Sequence, residues 1–479
     1  MRVGNAAIAL RMADKLEAAG EEAVRVGFAR AQAHLLANDA DLAKEVILEL
    51  LRQYPDERER IFNNAAEVFS RQPVSADYLD AMQTLADAYP EDPHGFYALA
   101  YLANRSSDSV VLDQAINRTL ELDPDWEQAA VVKFVHLLQI GQGEDAGMFA
   151  GTFLTANPDA VQLAERYGRT LAASGDFEGA YRQFRNILRV DPDNSDILIA
   201  SALIQMQLEH WSDARKLLLR HLDLNPDNDE TRMLLARAAY NRKRYDEAIK
   251  WYAGVRDESL VFDAQVRIAD ALEESEGPER ALEHLTSLVP ISKDEEVRLL
   301  LAQEQILRSM GRLQDALALI DGAIREIPDD SDLLYSRGLL YAELDQIEQH
   351  ETDIRRVIEL DPDNAHAYNA LGYTLADQTD RYDEAYELIA HALELAPQDP
   401  FILDSMGWVQ YRLGDLVKAE DYLRRAFTIR SDAEIAAHLG EVLWITGSRD
   451  EARSLWQEAL KAHPDNVILL DTLKRLEMP

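Results

Sequence analysis

The sequence predicts an all-α protein in which one helix pair is repeated along the chain. Three observations support this: prolines recur at a nearly constant spacing, an alanine recurs at a fixed distance before them, and the composition is that of a folded chain. The 479 residues are 47% hydrophobic and 28% charged, which is ordinary for a globular protein. A length of ~150 residues per domain suggests about three domains, but this guide fails for repeats.

The prolines define a period of 34 residues. Six of them, from Pro55 to Pro226, are 34 or 35 residues apart, and the gap of 102 residues from Pro226 to Pro328 equals three periods. We therefore expect about thirteen units of one length, with the proline lost near Leu260, Asp294 and Ser431. Most of the prolines are followed by Asp or another polar residue: Pro55, Pro90, Pro124, Pro158, Pro192, Pro226, Pro328, Pro362, Pro397 and Pro464.

An alanine lies twelve residues before the proline, and a glycine often precedes that alanine by five. Because proline ends a helix and a following Asp or Asn can cap the next one, each unit is predicted to be helix, turn, helix, turn. The small alanine lets the two helices approach closely. Tyr78 and Leu112 replace it in two weak units, and a third weak unit precedes Pro362. The recurring residues are Ala43, Ala146, Ala180, Ala214, Ala248, Ala316, Ala385, Ala419 and Ala452, with Gly141, Gly175, Gly311, Gly414 and Gly447.

The two ends of the chain are predicted to close the array. One helix pair cannot bury its apolar face alone, so the units must stack on one another. The amphipathic segment from Val3 to Ala19 is expected to cover the first unit, and Val467 to Leu476 the last. The predicted organisation is an N-terminal capping helix in 1–23, about thirteen units in 24–466 and a C-terminal capping helix in 467–479.

The repeat resembles the tetratricopeptide repeat, a helix-turn-helix unit of 34 residues. The last unit matches that family's pattern at Leu439, Gly440, Leu443, Ala452, Trp456, Ala459 and Pro464. The resemblance covers roughly residues 24–466. It implies a right-handed superhelical solenoid of antiparallel helix pairs with one long concave wall.

The composition excludes several classes of partner and chemistry. Lys and Arg number 49 against 87 Asp and Glu, a formal net charge of −38, so nucleic acids and anionic membranes are repelled. The absence of cysteine removes disulfides, thiolate nucleophiles and iron–sulfur sites. No stretch approaches the ~18 apolar residues of a membrane span. As written, the chain is expected to be soluble and unanchored.

No catalytic, metal or cofactor motif is recognisable. The 11 histidines form no close pair suited to zinc. The glycines from Gly141 to Gly147 have the wrong spacing for a nucleotide loop, and Asp191 to Asp196 lacks the glycine and glutamate of a calcium loop. We therefore expect neither an enzyme nor a bound cofactor or metal. An enzyme hidden in the degenerate N-terminal units is the alternative.

Function is then expected to depend on the concave wall. In this repeat, first-helix positions 2, 5, 9, 12 and 13 face the wall, because the others pack against neighbouring helices. Aromatic residues and arginine are the usual anchors of protein interfaces. The alternative is that some of these rings only fill space between successive first helices. The predicted groove residues are Arg237, Tyr240, Tyr335, Tyr373, Phe401, Trp408, Tyr411, Arg412 and Trp444.

Co-chaperones of this family hold a C-terminal carboxylate with Lys and Asn side chains that begin in a Leu-Gly-Asn helix. Here Tyr373, Trp408 and Glu441 follow the corresponding glycines, so we expect no such clamp. The basic run from Asn241 to Arg244 is interpreted as a solvated helix end, with a substitute for the clamp as the alternative.

A narrower resemblance lies in the segments Asn369–Asp377, Asp399–Trp408 and Ile435–Trp444. They are similar to a proteobacterial subfamily of envelope lipoproteins. The resemblance implies a periplasmic adaptor, anchored to the outer membrane by lipid, that binds a carboxyl-terminal processing protease. Peptidoglycan cross-link hydrolases would be the substrates that it delivers for degradation.

Members of that subfamily carry a lipoprotein signal and a lipidated cysteine. This chain has neither, so we expect either a shortened soluble form or a protein outside the lipoprotein group. The competing hypothesis is a scaffold of an envelope polysaccharide-export or secretion complex.

Overall fold

A computed structural model describes residues 2–71, 73–464 and 466–476. Over these ranges the chain forms 28 α-helices and one short 3-10 helix, Pro55–Glu57, and no strand. The predicted all-α fold of paired helices is confirmed. The chain divides into two compact units, of which one ends at Arg242 and the other begins at Lys243.

The N-terminal unit buries a continuous apolar core between consecutive helices, from Val24 to Ala129, with further clusters up to Ile204. Its helices are α1 (Arg2–Ala18), α2 (Ala23–Leu36), α3 (Ala40–Gln53), α4 (Arg58–Ser70), α5 (Ala76–Asp87), α6 (Pro93–Ser106), α7 (Ser109–Leu122), α8 (Glu127–Gln139), α9 (Gly143–Ala156), α10 (Val161–Ala173), α11 (Phe177–Val190), α12 (Ser195–Gln207), α13 (Trp211–Leu224) and α14 (Asp229–Asn241).

The C-terminal unit has its largest core between Val297 and Val409 and a second one around Trp456. Its helices are α15 (Tyr245–Tyr252), α16 (Glu258–Glu276), α17 (Pro278–Ser287), α18 (Lys293–Ser309), α19 (Leu313–Glu326), α20 (Ser331–Glu343), α21 (Ile347–Leu360), α22 (Ala365–Gln378), α23 (Tyr382–Leu395), α24 (Pro400–Arg412), α25 (Leu416–Ile429), α26 (Ala433–Thr446), α27 (Arg449–Ala462) and α28 (Val467–Arg475).

The turns between consecutive repeats are capped as the sequence predicts. The Asn194 side chain accepts the Ile197 N–H at 3.2 Å, and Asn364 accepts the Ala367 N–H at 3.1 Å. Each such cap satisfies a backbone donor that the first helical turn leaves free, which stabilises a helix by about 1 kcal/mol. Asp465, which the sequence assigns to the last of these turns, lies outside the described residues.

The recurring alanines mark the closest approach of the paired helices. All nine that the sequence singles out are fully buried. Opposite Ala385 and Ala419 lie Gly372 and Gly407, where an added Cβ would come within 3.0 and 3.2 Å of the alanine carbonyl oxygens. The alanine and the glycine therefore both serve to bring two backbones together.

The two repeats that lack a proline in the middle of the chain have helix boundaries that differ from those of the other repeats. Leu260 and Asp294 lie in the first turns of α16 and α18, not in turns between helices. With no proline to stop them there, these helices extend to 19 and 17 residues. The preceding α15 and α17 are short, at 8 and 10 residues. Gly254 follows the first, and Pro290, which disfavours helix in the residue before it, follows the second.

The terminal helices α1 and α28 lie where the sequence predicts helices, and each packs on its neighbouring pair. Their role as caps of a thirteen-unit array stays a prediction. Residue 1 and residues 477–479 of the predicted caps lie outside the described residues. None of the helices that the structure describes is long and apolar enough to cross a lipid bilayer.

Candidate protein-binding site

A cavity of about 500 Å³ opens in the C-terminal unit, where α22, α24, α26 and α28 follow one another. Three residues that the sequence assigns to the groove, Trp408, Tyr411 and Arg412, lie together in its wall. The side chains that complete the wall are charged. The full lining is Asp377, Trp408, Tyr411, Arg412, Glu441 and Arg475.

Trp408 forms the rigid base of this wall. Its side chain is only 6% exposed. The indole stacks on the His438 ring, with 4.3 Å between centroids, and its Nε1–H donates to Asp377 Oδ1 at 3.2 Å. The Tyr411 ring lies 5.1 Å away. Because both the ring face and the N–H have partners, the indole is held in one orientation.

A buried ion pair holds the His438 ring on which Trp408 stacks. His438 Nδ1 lies 2.9 Å from Asp404 Oδ2, and both side chains are buried. Burial alone would lower the pKa of His438, but the charges of Asp404 and Glu434 raise it above its ordinary value. The Tyr373 hydroxyl donates to Glu434 at 3.1 Å. Burial raises the pKa of Glu434, and burial together with this carboxylate raises that of Tyr373.

A second buried carboxylate closes the other side of the cavity. Glu441 is 1% exposed and accepts two hydrogen bonds from Arg475, at 2.6 and 2.5 Å. It also accepts the Tyr411 hydroxyl at 3.0 Å. Burial and the Glu441 charge raise the pKa of Tyr411 to about 12, and the Glu441 hydrogen bond raises that of Arg475. This ion pair ties α28 to α26.

Arg412 reaches across to the preceding helix pair. Its guanidinium donates to the Asp377 carbonyl oxygen at 3.0 Å and to the Tyr382 hydroxyl at 2.7 Å. It also lies over the Tyr382 ring, 4.8 Å from the centroid. Its planar face and remaining donor positions can meet a ligand without a change in these contacts.

The other predicted groove residues of this unit lie outside the cavity lining. Phe401 is 42% exposed, with the Arg430 guanidinium 5.0 Å from its ring centroid. Trp444 is half-buried, and the guanidinium of Arg449 lies 4.9 Å from its ring centroid. Tyr335 is half-buried, and burial raises its pKa.

The two predicted residues of the N-terminal unit, Arg237 and Tyr240, are carried by α14. Arg237 is exposed and Tyr240 is half-buried. The structure thus gathers Trp408, Tyr411 and Arg412 into one cavity, with Tyr373 joined to it through His438.

Three charged residues of the cavity were not predicted from the sequence: Asp377, Glu441 and Arg475. A signal for one of them was present, because Glu441 follows Gly440 just as Trp408 follows Gly407. A search for aromatic residues and arginine at wall positions passed over this carboxylate. In the ranges that the structure covers, no group of three His, Asp or Glu residues is placed to hold a metal ion. The cavity offers an aromatic wall and paired charges, which suit the side chains of a protein partner.

Family models agree with the repeat pattern. Models of the tetratricopeptide repeat match residues 199–260, 171–224, 354–387 and 331–364. These segments are tetratricopeptide repeats. Such repeats generally serve as non-catalytic scaffolds for protein–protein interaction.

Two similar proteins are also described as containing tetratricopeptide repeats. The TPR repeat-containing protein PA4667 of Pseudomonas aeruginosa is 41% identical over 213 residues, which are 44% of this chain and 36% of that protein. A TPR repeat-containing protein of Dictyostelium discoideum is 32% identical over 129 residues, 26% of this chain and 48% of its own length. The chain therefore spans less than half of either relative.

The solved structures that are similar to this chain include that of the APC/C hetero-tetramer Cut9–Hcn1, whose sequence is 15% identical to it. It covers 97% of this chain and 92% of the matched chain, with a TM-score of 0.38.

Proposed function

We propose that the chain is a non-catalytic adaptor that binds other proteins in the cavity around Trp408. The observation that carries this is a wall of Trp408, Tyr411 and Arg412 held rigid by buried partners. Aromatic and arginine side chains in preorganised pockets supply most of the affinity of protein interfaces. A wall that is already ordered loses little entropy when a partner binds.

The partners in this proposal are a carboxyl-terminal processing protease and the peptidoglycan cross-link hydrolases that it degrades. The support comes from the three segments that resemble the lipoprotein subfamily. Each of them supplies one residue of the cavity: Asp377 from the first, Trp408 from the second and Glu441 from the third. The resemblance and the cavity therefore involve the same residues.

An adaptor of this kind needs no chemistry of its own. Two proteins that are held on one scaffold meet at an effective concentration far above their free concentrations. The proposal places the protein in the periplasm, with the full-length form anchored to the outer membrane by lipid. Degradation of the hydrolases would then limit cleavage of cell-wall cross-links.

The test is a cleavage assay with purified protease and hydrolase, with and without this chain. We expect stoichiometric chain to accelerate hydrolase degradation, while the chain alone cleaves nothing. A protease rate unchanged by the chain would defeat the partner assignment. Replacing Arg412→Ala and Tyr411→Phe together should weaken partner binding by about tenfold, because it removes a charge and a hydrogen bond from the wall.

The control is Phe401→Ala, which removes an exposed ring outside the cavity. Equal losses in both variants would remove the cavity from the proposal while leaving the scaffold role in place. The alternative function, a scaffold of a polysaccharide-export or secretion complex, would be supported if synthase or channel subunits co-purified from envelope extracts instead of a protease.

A further inference from the structure

A second cavity, of about 650 Å³, lies within the C-terminal unit at the start of α15 and the end of α16. It shares no lining residue with the cavity around Trp408. It includes the end of the basic run from Asn241 to Arg244, which the sequence analysis interprets as a solvated helix end. Its lining is Lys243, Arg244, Tyr245, Asp246, Glu247, Lys250 and Ser275.

Three cations in this lining have no charge partner. Lys243, Arg244 and Lys250 are exposed, and across the described ranges none of their side chains makes an ion pair or hydrogen bond. Elsewhere in the same unit arginines are paired: Arg355 and Arg381 share the carboxylate of Glu351. Three unpaired cations face two carboxylates in the cavity, in a chain whose formal charge is −38.

The backbone adds to this positive character. Helix α15 begins immediately after Arg244, and no side chain caps it. The free N–H groups of its first turn carry the positive end of the helix dipole. Lys243 has a φ of 56°, in the left-handed region that Gly175 and Gly311 occupy at the equivalent turns. A lysine therefore stands where glycine would be less strained.

We propose that this basic cavity binds a short acidic peptide segment of a protein partner, with Lys243, Arg244 and Lys250 pairing with its carboxylates. The volume is that of a pocket for a small ligand or a few residues. A short segment can place its charge within one Debye length, about 8 Å at physiological salt, of the three cations.

An extended polyanion fits this site less well than a peptide does. A nucleic acid or an anionic bilayer presents negative charge far beyond the cavity, where it meets the acidic remainder of the chain and is repelled. Only a ligand that keeps its charge local gains from the three cations without meeting this repulsion. Charge complementarity therefore selects a peptide.

The experiment measures binding of a fluorescein-labelled hexaglutamate peptide to the full chain by fluorescence anisotropy. We expect saturable binding that weakens as salt is added. Replacing Lys243→Gln, Arg244→Gln and Lys250→Gln together should reduce affinity by at least about tenfold. Each exposed ion pair contributes modestly on its own, but this variant removes three of them at once. The matched control is Lys293→Gln, Arg325→Gln and Lys461→Gln, which removes the same charge from exposed side chains elsewhere. It should change affinity by less than about twofold.

A single variant separates loss of binding from loss of folding. Lys243→Gly removes one cation and relieves the left-handed strain, so the melting temperature should rise while peptide affinity falls. Equal losses in both triple variants, or unchanged affinity in Lys243→Gly, would overturn the proposal. So would binding to phosphatidylserine vesicles or inorganic phosphate with no binding of the peptide. None of these outcomes depends on whether the cavity around Trp408 binds a protease.

Discussion

The helices α22 to α25 differ from the helices α15 to α18 although both regions keep the same period. In the first region, prolines separate the pairs and the second helices are 14 residues long. In the second region the prolines that the period would place near Leu260 and Asp294 are missing, and α15 and α17 shrink to 8 and 10 residues. The buried alanines persist in both, as Ala385 and Ala419 in one and Ala248 and Ala281 in the other.

This difference separates two roles within the repeat. The small buried residue keeps the helices paired, whereas the proline helps to fix where one pair ends; the turn around Ser431, between α25 and α26, forms without one. The connection between α17 and α18 is exposed and apolar: Val289 and Ile291, on either side of Pro290, are 84% and 83% exposed. The residue twelve positions before the buried alanine also differs: it is Gly407 before Ala419 but Ala269 before Ala281. The regular pairs therefore depend more on close backbone approach.

The largest expected effect comes from breaking that close approach. In Gly407→Ala the new Cβ would lie 2.5 Å from Leu423 Cγ and 3.2 Å from the Ala419 carbonyl oxygen. We expect the free energy of unfolding to fall by about 2 kcal/mol, because a packed core resists an added methyl group. Urea denaturation measures this. Gly322→Ala is the control, since its Cβ meets only the end of Arg325 at 3.8 Å; this change should stabilise α19 by up to about 1 kcal/mol.

A smaller effect tests whether the caps, unlike the prolines, serve both regions equally. Asn364 caps α22 in the regular region, and the Ser292 hydroxyl accepts the Glu295 N–H at 3.1 Å at the start of α18. Asn364→Ala and Ser292→Ala should each lower the free energy of unfolding by about 1 kcal/mol. Thermal unfolding followed by circular dichroism measures both. A loss confined to Asn364→Ala would mean that the irregular region does not depend on its cap.

The fold could be predicted from the sequence because its signals are local and repeated. A proline or a buried alanine acts on its own turn, so repetition of the pattern identified helix pairs with no knowledge of tertiary structure. The lengths of α15 to α18 could not be predicted, because extrapolating the period placed turns at Leu260 and Asp294 although nothing there stops a helix.

The binding cavity was only half predictable. Trp408, Tyr411 and Arg412 stand out as aromatic or cationic residues at wall positions. Arg475 gains its role only through the buried Glu441 on another helix. Likewise, Asp404 and His438 are 34 residues apart, and their pairing depends on the stacking of α26 on α24. Both pairs are one period of 34 residues apart, so they occupy equivalent positions in successive repeats, but the period alone does not say which of these positions come into contact.

The smallest expected effect is a pH dependence that arises where α26 packs on α24. His438 has a raised pKa in the folded chain, because Asp404 and Glu434 favour its charged form despite burial. Its contribution to stability is therefore complete below the unfolded pKa of about 6.5 and is lost as pH rises through the folded value. His438→Gln should flatten the decline of melting temperature between about pH 6 and pH 8. His391→Gln, which changes a half-buried histidine on α23 outside this pair, should leave the decline as it is. If both variants followed the unmodified chain, the pair behind Trp408 would not be charged in the folded state, and the wall would be held by stacking and hydrogen bonds alone.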